Sequence, residues 1–272
     1  HLVMEVSSHA LDQDRTAGLQ FAAGIFTNLT GDHLDYHGDM ATYLQAKRKL
    51  FEALAADAVG VINRDDPQAD TFAEACTGPV VWYGLSPASD FYGRIDRIDA
   101  AGTAFTIITA GGEFPVDTPL IGRHNVYNCL AAASTAASLG VDDGTIGAAL
   151  HDIDRIPGRL ERVPSDRPFD VFVDYAHTHD ALDNVLSSLQ ALKQGRLIVV
   201  FGCGGDRDRT KRPKMAVVAQ TRADRIIITS DNPRSESPDA IIEEIAAGLD
   251  YTGRARSTIE PDRREAIRLA VA

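Results

Sequence analysis

Apolar positions along this chain follow two periods in alternation. Short runs rich in β-branched and aromatic residues are separated by longer stretches whose apolar residues recur at helical spacing. That is the pattern of strands and helices layered on a mainly parallel sheet. In the first half, Leu2–Val6, Gly24–Asn28, Ala58–Asn63 and Val80–Tyr83 predict strands. Met40–Ala55 predicts a helix, with Tyr43, Leu44, Leu50, Phe51 and Leu54 on one face and charges on the other. From Phe91 to Leu120 the pattern becomes alternating. Gly93–Ile98, Thr103–Thr109 and Glu113–Pro119 are broken by Ala-Gly and Gly-Gly turns, which predicts an antiparallel flap appended to the parallel sheet. Helices are expected over Asn125–Leu139, closed by Gly140, and over Asp143–Asp152.

Arg155-Ile-Pro-Gly-Arg159 interrupts the pattern and reads as a linker. Beyond it the strand–helix alternation restarts: strand Asp170–Asp174, helix Asp180–Leu192, strand Arg196–Phe201, helix Pro213–Thr221, strand Arg225–Thr229 and helix Pro238–Leu249. Units of this length favour right-handed parallel crossovers. The expected division is therefore residues 1–157 and 158–272. No internal repeat or low-complexity segment is present. His1 leads straight into an apolar run, and Arg263–Ala272 ends within a helical pattern, so both ends read as cuts through a fold.

Composition narrows the function classes. The 272 residues suffice for two domains with their own cores, and 44% hydrophobic with 24% charged residues is a soluble globular balance. A net charge of −12 argues against non-specific binding to nucleic acid or to an anionic membrane. Anionic small molecules would then need a locally basic pocket. Cys76, Cys129 and Cys203 show neither metal-ligand spacing nor a disulfide framework, which fits a reducing cytoplasm. No apolar run approaches membrane-spanning length.

Candidate chemistry sits where strands are expected to end, because ligands of open α/β sheets bind beyond those ends. Glu5-Val-Ser7-Ser8-His9 offers a carboxylate for a hard cation, or simply a strand end with a helix cap following. Thr27–Gly38 packs two Asp and two His into one loop, suited to a metal or phosphate, or to plain solvation. Lys47 lies in a basic helix segment that reads as solvated on sequence alone. Asn125 and Asn128 share a helix face at its start; Asn suits an adenine edge, and equally an N-cap turn.

In the second half, three polar loops follow predicted strands: Asp174–His179, Gly202–Arg212 and Asp231–Arg234. Glycines in the second allow backbone amides to approach an anion, and four basic residues follow. Asn232-Pro233 makes a tight turn that would hold Arg234 for bidentate carboxylate binding. Three such loops on one sheet edge would make a binding edge. No glycine is followed by lysine, so the usual ATP phosphate cradle is absent from this sequence.

Taken in order, these segments resemble the Mur ligase family. The matching stretches are Met4–His9, Thr27-Asn-Leu with Asp32–Asp39, Ala46-Lys47, Gly122–Asn128, Pro157-Gly-Arg159, Asp174–His177, Gly202–Asp208 and Asp231–Arg234. The resemblance implies an α/β architecture: a central ATPase domain, mainly parallel sheet plus antiparallel flap, then a Rossmann-like C-terminal domain. It implies ATP-driven amide formation through an acyl phosphate, with Mg2+ neutralising crowded oxyanions. The branch it is most similar to joins UDP-N-acetylmuramoyl dipeptide and meso-diaminopimelate in the cytoplasm. By the same resemblance Glu5 and His33 are magnesium ligands, and Lys47 is carried as a carbamate that ligates a second magnesium. Ser7, Gln13 and Arg15 face the UDP-muramoyl dipeptide, and Asn125, Asn128, Arg159 and Asp174 face the nucleotide. Arg207 with Asp231, Asn232, Pro233 and Arg234 clamps diaminopimelate. Two alternatives stay open: a lysine-adding relative, against which Arg234 argues, and a truncated, non-catalytic piece. Without the family's Gly-rich phosphate loop, the chain alone is expected to be inactive.

Overall fold

The computed structural model describes residues 1–31 and 34–272, with the backbone alone of Asp35. The chain forms two compact units, one comprising residues 1–30 and 36–161, the other residues 31, 34–35 and 162–272.

In the first unit the elements run α1 (Ser8–Asp12), β1 (Ala23–Phe26), α2 (Leu34–His37), α3 (Met40–Glu52), β2 (Val59–Asn63), α4 (Ala69–Ala73), β3 (Val80–Gly84), β4 (Phe91–Asp99), β5 (Gly102–Thr109), β6 (Gly112–Thr118), α5 (Arg123–Ser138) and α6 (Asp143–His151). The strands make one sheet in the order β1-β2-β3-β4-β5-β6. The first four are parallel neighbours, and β4, β5 and β6 form an antiparallel meander, as the change of period predicts. A short turn joins parallel β3 and β4 because they overlap only at Tyr83–Phe91 and Gly84–Tyr92.

β2 is buried along its whole length, as a central parallel strand between two helical layers should be. Val59 and Val61 pack with Val126, Leu130 and Ala133 of α5. Ile62 packs on the other face with Phe51 and Leu54 and with Phe72 of α4.

The predicted strand Leu2–Val6 does not form. A strand needs a neighbour to take its backbone hydrogen bonds. Residues 2–6 have none among the described residues, and Leu2 and Val3 remain 84% and 90% exposed. Glu5 is therefore not at the end of a sheet strand. The short helices α1, α2 and α4 were not signalled, being too brief to show a period.

The second unit contains β7 (Glu161–Val163, which begins at the junction), β8 (Val171–Val173), α7 (His179–Leu192), β9 (Ile198–Phe201), α8 (Lys211–Arg222), β10 (Arg225–Ile228), α9 (Pro238–Ala246), α10 (Tyr251–Ala255), β11 (Ser257–Ile259) and α11 (Arg263–Val271). A parallel sheet runs β11-β10-β9. Val199, Phe201, Ile226 and Ile228 meet Leu182 and Leu186 of α7, Met215 and Ala219 of α8, and Ile241 and Ile245 of α9 in one core. β8 pairs instead with β7 in a separate two-stranded sheet. The expectation of three loops on one sheet edge is thus corrected to two: those after β9 and β10 share an edge, and the Asp174 loop follows a strand of another sheet. The period of three residues in Val171–Val173 could not reveal which sheet they join. Among the described residues no helix is long and apolar enough to cross a membrane.

Candidate functional site

Three groups of candidate residues can be built from these elements. The first surrounds α1, which lies against α3. Ser7 caps α1, its Oγ accepting from the Ala10 amide at 3.2 Å. Ser8 is buried, and its Oγ is hydrogen-bonded at 2.9 Å to Nε2 of His37, also buried. His9 packs against Tyr36, the two rings tilted by 42° with centres 4.1 Å apart. The Tyr36 hydroxyl donates to Asp12 at 3.0 Å, and the Lys49 ammonium reaches the same carboxylate at 3.0 Å. Hydrogen bonds from Lys49 and Tyr36 hold the Asp12 carboxyl below its usual range. Gln13 donates to the Tyr36 hydroxyl at 3.3 Å, and Arg15 is exposed just past the helix end. Lys47, one turn beyond Tyr43 on α3, is half-buried with its ammonium 5.4 Å from the Tyr43 ring centre. The structure thus gathers Ser7, Gln13 and Lys47 on two packed helices. Glu5 is exposed ahead of α1, and His33 lies outside the described residues.

The second group opens α5. Gly122 precedes it with φ of +99°, a conformation that favours glycine. Asn125 is buried; its Nδ2 donates to the Ile121 carbonyl at 2.9 Å and its Oδ1 accepts from Asn128 at 3.1 Å. Asn125 therefore braces the helix start, leaving Asn128 as the exposed member of the pair. Arg159 is exposed after the Pro157-Gly158 turn, and Asp174, at the end of β8, accepts from the Ala176 amide at 2.8 Å. These two are in different units, and Asp174 is not beside the loops after β9 and β10 in any sheet.

The third group is those two loops. Gly205 donates its amide to the Asn232 carbonyl at 2.9 Å, and a Cβ on Gly205 would stand 1.9 Å from the Pro233 oxygen, so only glycine fits there. The Asp206 carboxylate accepts from the Ser235 amide at 3.1 Å and hydroxyl at 2.7 Å, and these bonds lower its pKa. Asp206 and Arg234 both have φ of +50°, unusual for residues with a Cβ. Arg234 is exposed and donates from Nη1 to the Gly205 carbonyl. Arg207 is exposed and donates to the Asp206 carbonyl at 2.9 Å. Asp231 lies 3.9 Å from the Arg263 guanidinium.

The basic run after the glycines does not face an anion as a block. Lys211 and Arg212 are buried, and Arg209 pairs with Glu244. Arg212 is 0% exposed; its guanidinium donates to Glu236 at 2.9 and 2.7 Å, to Glu244 at 2.8 Å and to the Gly204 carbonyl at 3.2 Å. The Glu236 carboxyl is held down to about 2 by Arg212, and further by the Asp206 amide that donates to it at 2.6 Å. Sequence reading missed this hub. Its signal was weak: a basic run after glycines suggests an anion, and nothing in the sequence links it to glutamates 24 and 32 residues away.

A metal fit can be tested on the donor set. Among the described residues no three His, Cys, Asp or Glu side chains gather into a metal cage. The free thiols do not change this, since burial pushes Cys129 up to about 12 and Cys203 to about 11.

Comparison with known proteins decides the family. The model of the Mur ligase middle domain matches residues 1–136, and that of the Mur ligase glutamate ligase domain matches residues 158–272. This chain belongs to the Mur ligase family. Among Mur ligases it is 45% identical over its full length to the UDP-N-acetylmuramoyl-L-alanyl-D-glutamate–2,6-diaminopimelate ligase of Syntrophomonas wolfei, covering 56% of that protein. The protein of the same name from Geobacillus kaustophilus is 45% identical over 99% of the chain and 56% of its own length. A solved structure of a ligase of that name superposes with a TM-score of 0.62 at 38% identity, covering 97% of this chain and 55% of the other. A Mycobacterium tuberculosis folylpolyglutamate synthase complexed with ADP superposes at 0.75 with 26% identity, covering 92% of this chain and 56% of the other. The chain thus spans little more than half the length of the Mur ligases it matches.

Proposed function

We propose that this chain supplies the central and C-terminal domains, residues 1–157 and 158–272, of an ATP-dependent ligase. The reaction adds meso-diaminopimelate to UDP-N-acetylmuramoyl-L-alanyl-D-glutamate in the cytoplasm. One observation carries the choice of amino acid: the Asp231–Arg234 turn presents an exposed guanidinium bonded to the Gly205 carbonyl of the loop after β9, in a chain 45% identical to a relative named for diaminopimelate. Diaminopimelate differs from lysine by one carboxylate, and a rigid guanidinium pairs with a carboxylate through two parallel hydrogen bonds.

In this reading the γ-phosphoryl group of ATP passes to the substrate's glutamate carboxylate, giving an acyl phosphate. The amine of diaminopimelate attacks the acyl carbon, the C–O bond to phosphate breaks, and the amine sheds a proton. Bound Mg2+ supplies charge neutralisation at the phosphate oxygens. Ser7, Gln13 and Arg15 contact the UDP-muramoyl dipeptide from α1. Asn128 faces the nucleotide with Arg159 and Asp174, while Asn125 acts by bracing Asn128. Glu5, His33 and a carbamate on Lys47 would hold the magnesium.

The test replaces the matching segment of the Geobacillus kaustophilus relative with this chain and follows phosphate release. Release should require the dipeptide substrate and diaminopimelate together. Arg234→Ala should cost about 30- to 150-fold in diaminopimelate selectivity over lysine, the worth of one charge-assisted pair, with the KM for ATP unchanged. Preference for lysine in the unmutated chimera, or unaltered diaminopimelate kinetics in Arg234→Ala, would overturn the assignment.

A further inference from the structure

Arg212 occupies a position that ordinary packing does not explain. It is the second residue of α8, fully buried, at the helix end where the backbone dipole disfavours a cation. Removing a guanidinium from water costs several kcal/mol unless its hydrogen bonds are well made. An apolar side chain would stabilise α8 against its core at least as well. What the guanidinium alone can do is join parts: Gly204 in the loop after β9, Glu236 in the loop after β10, and Glu244 on α9.

The ties converge on Arg234. Arg212 holds the Gly204 carbonyl, and the next carbonyl, of Gly205, receives Nη1 of Arg234. Arg212 also holds both oxygens of Glu236, one of which accepts the Asp206 amide. On either side of Arg234, Asn232 is bonded to Gly205 and Ser235 to Asp206. A left-handed backbone at a residue with a Cβ costs about 1–2 kcal/mol and persists only where its neighbours impose it. Here residues 232, 235 and 236 impose it.

We propose that Arg212 and Glu236 are positioning residues that set the direction of the Arg234 guanidinium, and through it the preference for an amino acid bearing a second carboxylate. This rests on the reading of Arg207 and Asp231–Arg234 as the amino-acid clamp. Neither positioning residue touches substrate.

The experiment uses the chimera described above and reads the ratio of kcat/KM for diaminopimelate to that for lysine. That ratio does not depend on how much enzyme is folded, so a merely structural loss leaves it unmoved. Glu236→Gln is the main variant, because it keeps shape while setting an amide donor against a donor. It should lower the ratio about tenfold at constant KM for ATP. In an Arg234→Ala background the same change should alter the ratio by less than about twofold, since residues acting as one unit are not additive. Arg212→Ala, if it folds, should repeat the pattern. A Glu236→Gln ratio within about twofold of the parent, or an equal drop in both backgrounds, overturns the proposal. If Arg234→Ala itself leaves the parent ratio intact, the clamp reading is what has failed, and the inference falls with it.

Discussion

Around α1 the candidate side chains are tied by contacts open to water: Asp12 with Lys49 and Tyr36, Gln13 with Tyr36, and only Ser8 with His37 inside. At the loops after β9 and β10 the ties run through a guanidinium with no exposure at all. The contrast is one of dielectric. An exposed pair competes with water and contributes little, whereas a buried ion must be matched by its partners or it destabilises the fold. The first region can adjust to a bound molecule. The second arrives pre-shaped, which suits the proposed discrimination between two amino acids that differ by a single carboxylate.

The largest effect expected is on activity without stability. Lys47→Ala in the chimera should reduce ligation to background, partly restored by short carboxylates, while its melting temperature stays close to the parent's. A carbamate requires an amine that is neutral part of the time, and the substitution removes it. Near-parental turnover would take Lys47 out of the site and remove the functional side of the comparison.

Arg212→Ala should do the reverse. It leaves Glu236 without its cation, while Glu244 keeps Arg209. Glu236 and Glu244 keep 21% and 28% exposure and can rehydrate. The destabilisation expected is therefore about 3 kcal/mol, the lower end for breaking a buried pair, and is read by urea unfolding of the second unit. A loss below about 0.5 kcal/mol would erase the contrast in dielectric.

Acid should sharpen the contrast further. The folded pKa of Glu236 lies near 2, below its ordinary value of 4.5. A depressed carboxyl stabilises the fold fully above the unfolded pKa, and that contribution is lost as pH falls toward the folded pKa. The second unit should therefore weaken between about pH 4.5 and pH 2, and Glu236→Gln should flatten the curve in that window. Parallel acid curves for parent and variant would remove Glu236 from the account.

The smallest effect belongs to the exposed pair. Asp12→Ala should shift the melting temperature by no more than about 2 °C, since water already solvates both partners. A larger shift would mean that the α1 region is held as firmly as the loops after β9 and β10, and the comparison would collapse.

Much of the architecture was legible before any coordinates. The switch from parallel sheet to meander showed in the change from continuous apolar runs to alternation at Phe91, and helices α3, α5 and α9 showed in their periods. Local patterns of this kind are set by side-chain spacing alone. The motifs after β9 and β10 were legible for the same reason, since glycine and Asn-Pro impose turns wherever they occur. Three things needed the tertiary structure. Leu2–Val6 has strand chemistry but no neighbour to pair with among the described residues, and pairing is not a local property. Val171–Val173 was expected in the main sheet of its unit and pairs with Glu161–Val163 instead. Arg212 read as one of four basic residues following a glycine loop open to an anion; burial and partners from two distant segments make it the joint between the loops. Spacing along a chain determines helices, strands and turns. Which ion is taken out of water, and by what it is matched, is decided only when distant segments meet.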